Sequence, residues 1–177
     1  MLRRLPVSVR PTRLTRRRHL HAGQFYIDGE WRPPAAAKSD DAKFLDVTNP
    51  ATGERLASLA LGTSEDVDAA VAAARRAFDD GWSSSAKADR LGYLERLAAL
   101  YKERSPEMAA AISSEMGAPI SLARRAQTAA GLSHIRSFIQ VLADFDFEER
   151  APPGSLPHEV LMHEPLGVCA CITPWNW

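Results

Sequence analysis

Cysteine is nearly missing from this chain of 177 residues: there are two, Cys169 and Cys171. They stand one residue apart, too few and too close for the disulfide framework of a small secreted domain, and they point weakly to a reducing compartment. No apolar run is long enough to cross a bilayer, so a membrane-spanning helix is not expected. The five histidines, at positions 19, 21, 134, 158 and 163, share no ligand spacing. None of them completes a four-ligand set around Cys-x-Cys, so no metal site is expected. Internal repeats are missing too, and no low-complexity tract stands out apart from alanine-rich helices.

Acid is missing from the first 23 residues. That arm carries seven arginines (Arg3, Arg4, Arg10, Arg13, Arg16, Arg17 and Arg18). The whole chain holds 22 basic and 22 acidic residues, so 15 basic residues face 22 acidic ones beyond the arm, a net of −7. An acidic body speaks against a nucleic-acid surface. The arm itself has no continuous apolar core of the secretory type. Its arginines fit a mitochondrial transit peptide, whereas Pro6, Pro11 and the scarcity of serine do not. A disordered tail, or upstream sequence translated from a wrong start, is the favoured reading. The body is expected in the cytoplasm, or in the mitochondrion if the arm is a transit peptide.

What is present begins at "QFYIDGEWRPP". Phe25 and Ile27 alternate with polar neighbours, and Asp28-Gly29 is a hairpin turn. Trp31 falls on the return strand, and Pro33-Pro34 opens a loop. "FLDVTNPATGERLASLALG" repeats the design, with strands over 44–48 and 56–61 around an Asn-Pro-Ala-Thr-Gly turn. The period then changes to that of a helix. Thr63 and Asp66 make a near capping box. Val67, Val71, Ala74 and Phe78 line one face, and Gly81 stops the helix. A second helix over about 86–104 carries Leu91, Leu94, Leu97 and Tyr101 on one side. Ser105-Pro106 reads as a restart, with Met108, Ile112 and Met116 lining the next face up to Gly117. Pro119 opens a longer helix to about Ala143, in which Ala123, Ala126, Ala130 and Ile139 point to close packing. "FDFEERAPPGSLP" reads as a linker, and "HEVLMHEP" as a strand.

"GVCACIT" differs from every earlier strand because it is apolar on both faces, as a central parallel strand must be. Thr173-Pro174 ends it, since proline cannot donate to a central ladder. In an open α/β sheet ligands bind beyond the carboxyl ends of the strands, which is where Trp175-Asn176-Trp177 would sit. On the residues alone Asn176 is either a turn residue after proline or an amide that donates to a developing oxyanion. Cys169 and Cys171 read as inert core thiols, since an apolar setting disfavours the thiolate. His134 reads as a partly buried helix residue, and Glu115 as a solvated charge.

"EPLGVCACITPWNW" closely resembles the segment of the aldehyde dehydrogenase superfamily that runs Pro-x-Gly-Val, apolar strand, Pro-Trp-Asn-aromatic. "FYIDGEW", "NPATGE", "SEDVDAAVAAARRAF", "RLGYLERLAALYKER" and "EMGAP" come in that family's order, so the resemblance covers about residues 24–177. It implies an α/β fold, in which a helical and hairpin region leads into the first strand of a doubly wound, Rossmann-like sheet. It also implies NAD- or NADP-dependent oxidation of a small aldehyde to a carboxylic acid through a cysteine thiohemiacetal. Asn176 then matches the amide that stabilises the oxyanion. Ile172, Thr173, Pro174 and Trp175 match the strand end bordering the dinucleotide. The family does not depend on a G-x-G-x-x-G fingerprint, so its absence here decides little. Trp177 stands where phenylalanine or tyrosine is usual, and Ala118 stands where many members have lysine.

The resemblance also implies a nucleophilic cysteine and a base glutamate that this chain does not hold. The chain therefore reads as the N-terminal part of such an enzyme, inactive alone and homo-oligomeric when full length. Residues 1–23 are taken as the arm. Residues 24–177 are taken as part of the NAD(P)-binding domain, with 144–166 as linker and oligomerisation strand. The rival reading is a non-catalytic helical module that binds a partner or a full-length homologue through "HEVLMHEP".

Overall fold

The computed structural model describes residues 23–38, 43–150 and 159–174. Strands β1 (Phe25–Ile27) and β2 (Glu30–Arg32) pair antiparallel. Both residues of their turn take positive φ, 58° at Asp28 and 77° at Gly29. That is the two-residue geometry whose twist matches the strands it joins. Tyr26 and Trp31 face each other across the pair, with ring centroids 5.2 Å apart. Strands β3 (Phe44–Thr48) and β4 (Arg55–Ala60) form a second antiparallel pair, with an irregularity between Val47 and Thr48. Asn49 organises their turn, its side-chain oxygen accepting from the Ala51 N–H at 2.9 Å and its carbonyl from Gly53 at 2.8 Å.

Helix α1 (Ser64–Asp79) starts where the capping box places it. Its alanine positions 70, 73, 74 and 77 and the β1–β2 turn together line a shallow cleft, and Arg76 bonds Asp28 at 2.9 Å. The expected apolar face is not covered: Val67, Val71 and Ala74 are exposed, and only Phe78 is half-buried. Short alanine side chains admit the hairpin, so the helix packs through them and leaves the valines outward.

Helix α2 runs without a break from Lys87 to Met116, with Pro106 inside it. The restart expected at Ser105-Pro106 does not occur. Proline removes one N–H and its ring crowds the carbonyl four residues back. Here Lys102 is exposed and the helix continues through the proline. The Ser105 hydroxyl turns inward and donates to the Tyr101 carbonyl at 2.8 Å. Gly117 ends α2 at φ 75°. A Cβ there would meet Pro50 Cγ at 2.8 Å, so conformation and crowding both demand glycine.

The next rod comprises α3 (Ile120–Leu122), a π-helical turn (Ala123–Gln127) and α4 (Thr128–Asp144). It lies antiparallel on α2, because Lys87 at the start of α2 donates to the Ala143 and Phe145 carbonyls at the end of α4, each at 3.0 Å. A cation there complements the helix dipole. Ala109 and Ala123 are completely buried along this contact. At Gly131 a side chain would run into the Tyr101 hydroxyl and approach its Cζ at 2.9 Å. Close packing of small residues is as the alanine spacing predicts. The π turn was not foreseen. It leaves Thr128 Oγ1 and Gln127 Oε1 buried without a protein hydrogen-bond partner.

Within the stretch read as a linker, β5 (Glu148–Arg150) pairs antiparallel with β6 (Val160–Met162). Glu-Glu-Arg has little strand propensity of its own, and the long-range partner overrides it. The Arg90 guanidinium on α2 sits 4.8 Å over the Phe147 ring beside this pair. Residues 151–158 lie outside the described part.

The expected central strand is also corrected. Residues 163–174 form no strand, and Ile172 is 94% exposed. A strand apolar on both faces needs a neighbour on each side and helices above and below. The described sheets are three separate antiparallel pairs, and none of them pairs with this segment. What the described chain shows is a mixed α/β region with small two-stranded sheets.

Candidate functional site

Every site residue expected from the sequence falls in the last six positions. Trp175 and Asn176 lie outside the described residues, as does Trp177. Ile172, Thr173 and Pro174 are exposed and extend from the body. The chain reaches them from β6. The His163 N–H bonds the Phe147 carbonyl at 2.9 Å, continuing the hairpin by one rung. Residues 159–166 are exposed, Gly167 and Val168 are half-buried, and 169–174 are exposed again. Beyond the hairpin and His163, the segment is most buried at Gly167 and Val168. Gly167 there takes φ 110°, a turn that glycine alone makes without strain.

The cysteines are not core thiols in this structure. Cys169 and Cys171 are both exposed, and Cys169 Sγ makes one weak contact, 3.8 Å from the Gly167 carbonyl. The same missing neighbours explain it, since burial of these side chains depended on the strand being central. His134 and Glu115 are both exposed on their helices, so the partial burial expected for His134 does not occur. Among the described residues no three His, Cys, Asp or Glu side chains come together as a metal cluster.

Among the described residues one carboxylate is buried, and sequence reasoning gave it only half its role. Asp66 accepts from the Thr63 N–H at 2.9 Å and from the Thr63 hydroxyl at 3.0 Å. Its other oxygen accepts from the Ala35 N–H at 2.8 Å, 31 residues away in sequence. The Thr63 N–H does most to hold its carboxyl below the ordinary aspartate value; burial pushes the other way, and the Ala35 N–H and Thr63 hydroxyl add to the lowering. Such a carboxylate stays ionised and fully engaged at neutral pH, so it clasps the loop to the helix and is no proton carrier.

A cleft of about 710 Å³ lies between the end of α1 and the outer face of α2, walled by Trp82, Tyr93 and Arg96. None of its lining residues is among those assigned to the site. The geometry thus offers a scaffold of clasped helices and one segment carried outward from it.

The sequence model of the aldehyde dehydrogenase family matches residues 36–177. This chain belongs to the aldehyde dehydrogenase family. A 3-succinoylsemialdehyde-pyridine dehydrogenase from a Pseudomonas species is 46% identical over 155 residues, 87% of this chain and 30% of that protein. A putative aldehyde dehydrogenase of Staphylococcus saprophyticus is 36% identical over 152 residues, again 30% of its own length. Among solved structures, the aldehyde dehydrogenase of Bartonella henselae aligns with a TM-score of 0.69 at 42% identity, over 75% of this chain and 26% of that one. A mutant of aldehyde dehydrogenase C from Pseudomonas syringae, solved with NAD+ and octanal, aligns with the same TM-score, identity and coverage. The chain thus spans about 30% of the length of the curated relatives it matches.

Proposed function

We propose that this chain serves the NAD- or NADP-dependent oxidation of an aldehyde to a carboxylic acid, as the N-terminal part of such an enzyme. The reading rests chiefly on one observation: the family match runs through Thr173-Pro174-Trp175-Asn176. Residues 168–172 would be the first strand of a doubly wound sheet, completed by strands that these residues do not include.

The dinucleotide, when bound, supplies the hydride acceptor. Ile172, Thr173 and Pro174 fit a place beside it, being exposed, uncharged and outside any ladder among the described residues. They would border the cofactor, with Trp175 following, while Pro174 stops the strand and releases the chain into the crevice. The Asn176 amide would donate a hydrogen bond to the oxygen of the thiohemiacetal, where negative charge develops as a cysteine thiolate adds to the carbonyl carbon. A preoriented donor of this kind is worth more in the transition state than toward the neutral aldehyde. The thiolate and the carboxylate that activates water come from outside this chain. The full-length protein is a homo-oligomer in this reading, with a small aldehyde as its substrate.

The test is a chimera. The matching 155 residues of the Pseudomonas relative are replaced by residues of this chain, and NADH or NADPH formation from an aldehyde is followed. Turnover by a folded chimera supports the proposal. A folded chimera that binds dinucleotide but never turns over refutes it.

A further inference from the structure

Arg75 stands four residues before the end of α1 (Ser64–Asp79) and makes two contacts on its own helix. Its guanidinium lies 5.3 Å from the Phe78 ring centroid and its Nη1 lies 3.9 Å from Asp79 Oδ1. It reaches across to the half-buried point of the outgoing segment. A Cβ built on Gly167 would lie 3.2 Å from Arg75 Nη2 and 3.5 Å from Nη1. The guanidinium therefore fills the place that a side chain at 167 would take. Gly167 and Val168 are the two half-buried residues in an otherwise exposed run over 159–174. Burial and contact geometry are separate observations, and they single out the same spot.

We infer that Arg75 is the positioning residue for the site segment: it seats the Gly167 turn on α1 and so sets the direction in which Ile172–Pro174 leaves the body. Five residues beyond Gly167 the chain reaches Ile172, and nine beyond it reaches Asn176. No ladder bond holds the described residues 164–174, so the seat at Gly167 is what fixes their course. A planar guanidinium suits this task because it lies flat against backbone while its edges still pair with Asp79. Glycine is favoured opposite it by its φ of 110°, and a Cβ there would press on the guanidinium. This inference rests on the function proposed above, since it matters for chemistry only if Asn176 is the oxyanion donor.

The test uses the whole 177-residue chain and reads geometry, not turnover. Nitroxides are placed on Cys171, with Cys169→Ser, and on Glu65→Cys near the start of α1. Glu65 lies about 15 Å from Arg75 along the helix at 1.5 Å per residue. The parent should give a single narrow distance peak. Arg75→Ala should lose that peak while helix content by circular dichroism is unchanged, and Arg75→Lys, which keeps length and charge, should recover it in part. Gly167→Val, which puts a side chain into the guanidinium's place, should shift or erase the peak with Arg75 intact. A narrow peak retained in both Arg75→Ala and Gly167→Val overturns the inference, and so does a parent with no peak to lose. An inactive chimera would leave this seat standing, and a lost seat would leave the role of Asn176 open to its own test.

Discussion

Asp66 accepts three hydrogen bonds. Half of its role was legible. Thr63 with an acid three residues on announces a helix start, because the backbone N–H groups there have no helical partner. The bond to Ala35 was not legible, since nothing in the local sequence connects positions 31 residues apart. Replacing Asp66 with alanine removes three accepted bonds at a buried site and should cost about 2 kcal/mol, within the range for lost caps and charge-assisted bonds. Urea unfolding of the two proteins checks it, and a difference below a few tenths of a kcal/mol would mean the clasp is idle. The pH dependence has a definite sign. The folded carboxyl sits below its ordinary 3.8, so the unfolded chain takes up a proton first as pH falls. The stabilisation is complete above that value and is lost as pH drops below it. Acid titration of stability should therefore steepen below about pH 4 in the parent and less so in Asp66→Asn.

At the scale of elements, turns and caps announced themselves because their chemistry is local. Asp28-Gly29 and Gly117 need left-handed backbone, and the residues found there are the ones that tolerate it. Pro106 misled for the same reason: its local chemistry says start, while packing of α2 against α4 on both sides of it keeps the helix whole. Pro106→Ala should accordingly stabilise the protein, by roughly 1–3 kcal/mol, because it restores a helical N–H and relieves the ring. A lower melting temperature in that variant would show that the proline serves the packing. The β5–β6 pair and the exposed face of α1 were hidden for a different reason. Each depends on what lies beside the element, and periodicity reports only which face is apolar, not whether something covers it.

At the scale of the molecule, the described chain is thinly buried. Its buried apolar residues are Ile27, Ala60, Ala109 and Ala123, and no large side chain is fully enclosed. Leu166 and Ile172 are exposed at 97% and 94%. Surfaces of this kind recruit partners or aggregate. The chain 1–177 should bind a dye for apolar surface and run large on size exclusion, whereas 24–164, without the apolar run, should be better behaved and retain its helices. A sharp monomer peak for 1–177 with cooperative unfolding and no dye binding would favour the non-catalytic module instead. The site itself was legible only through the ordered motifs that end in Pro-Trp-Asn. Its strand is set by neighbours that these residues do not include.

The central claim is that this chain supplies the oxyanion donor. In the chimera described above, Asn176→Ala should lower kcat on the order of a hundred- to thousandfold, roughly 3–4 kcal/mol in the transition state. Dinucleotide binding, measured by fluorescence titration of the same protein, should stay as in the parent, because the oxyanion exists only after attack. Equal turnover in parent and Asn176→Ala would contradict the account and leave Asn176 a turn residue after proline.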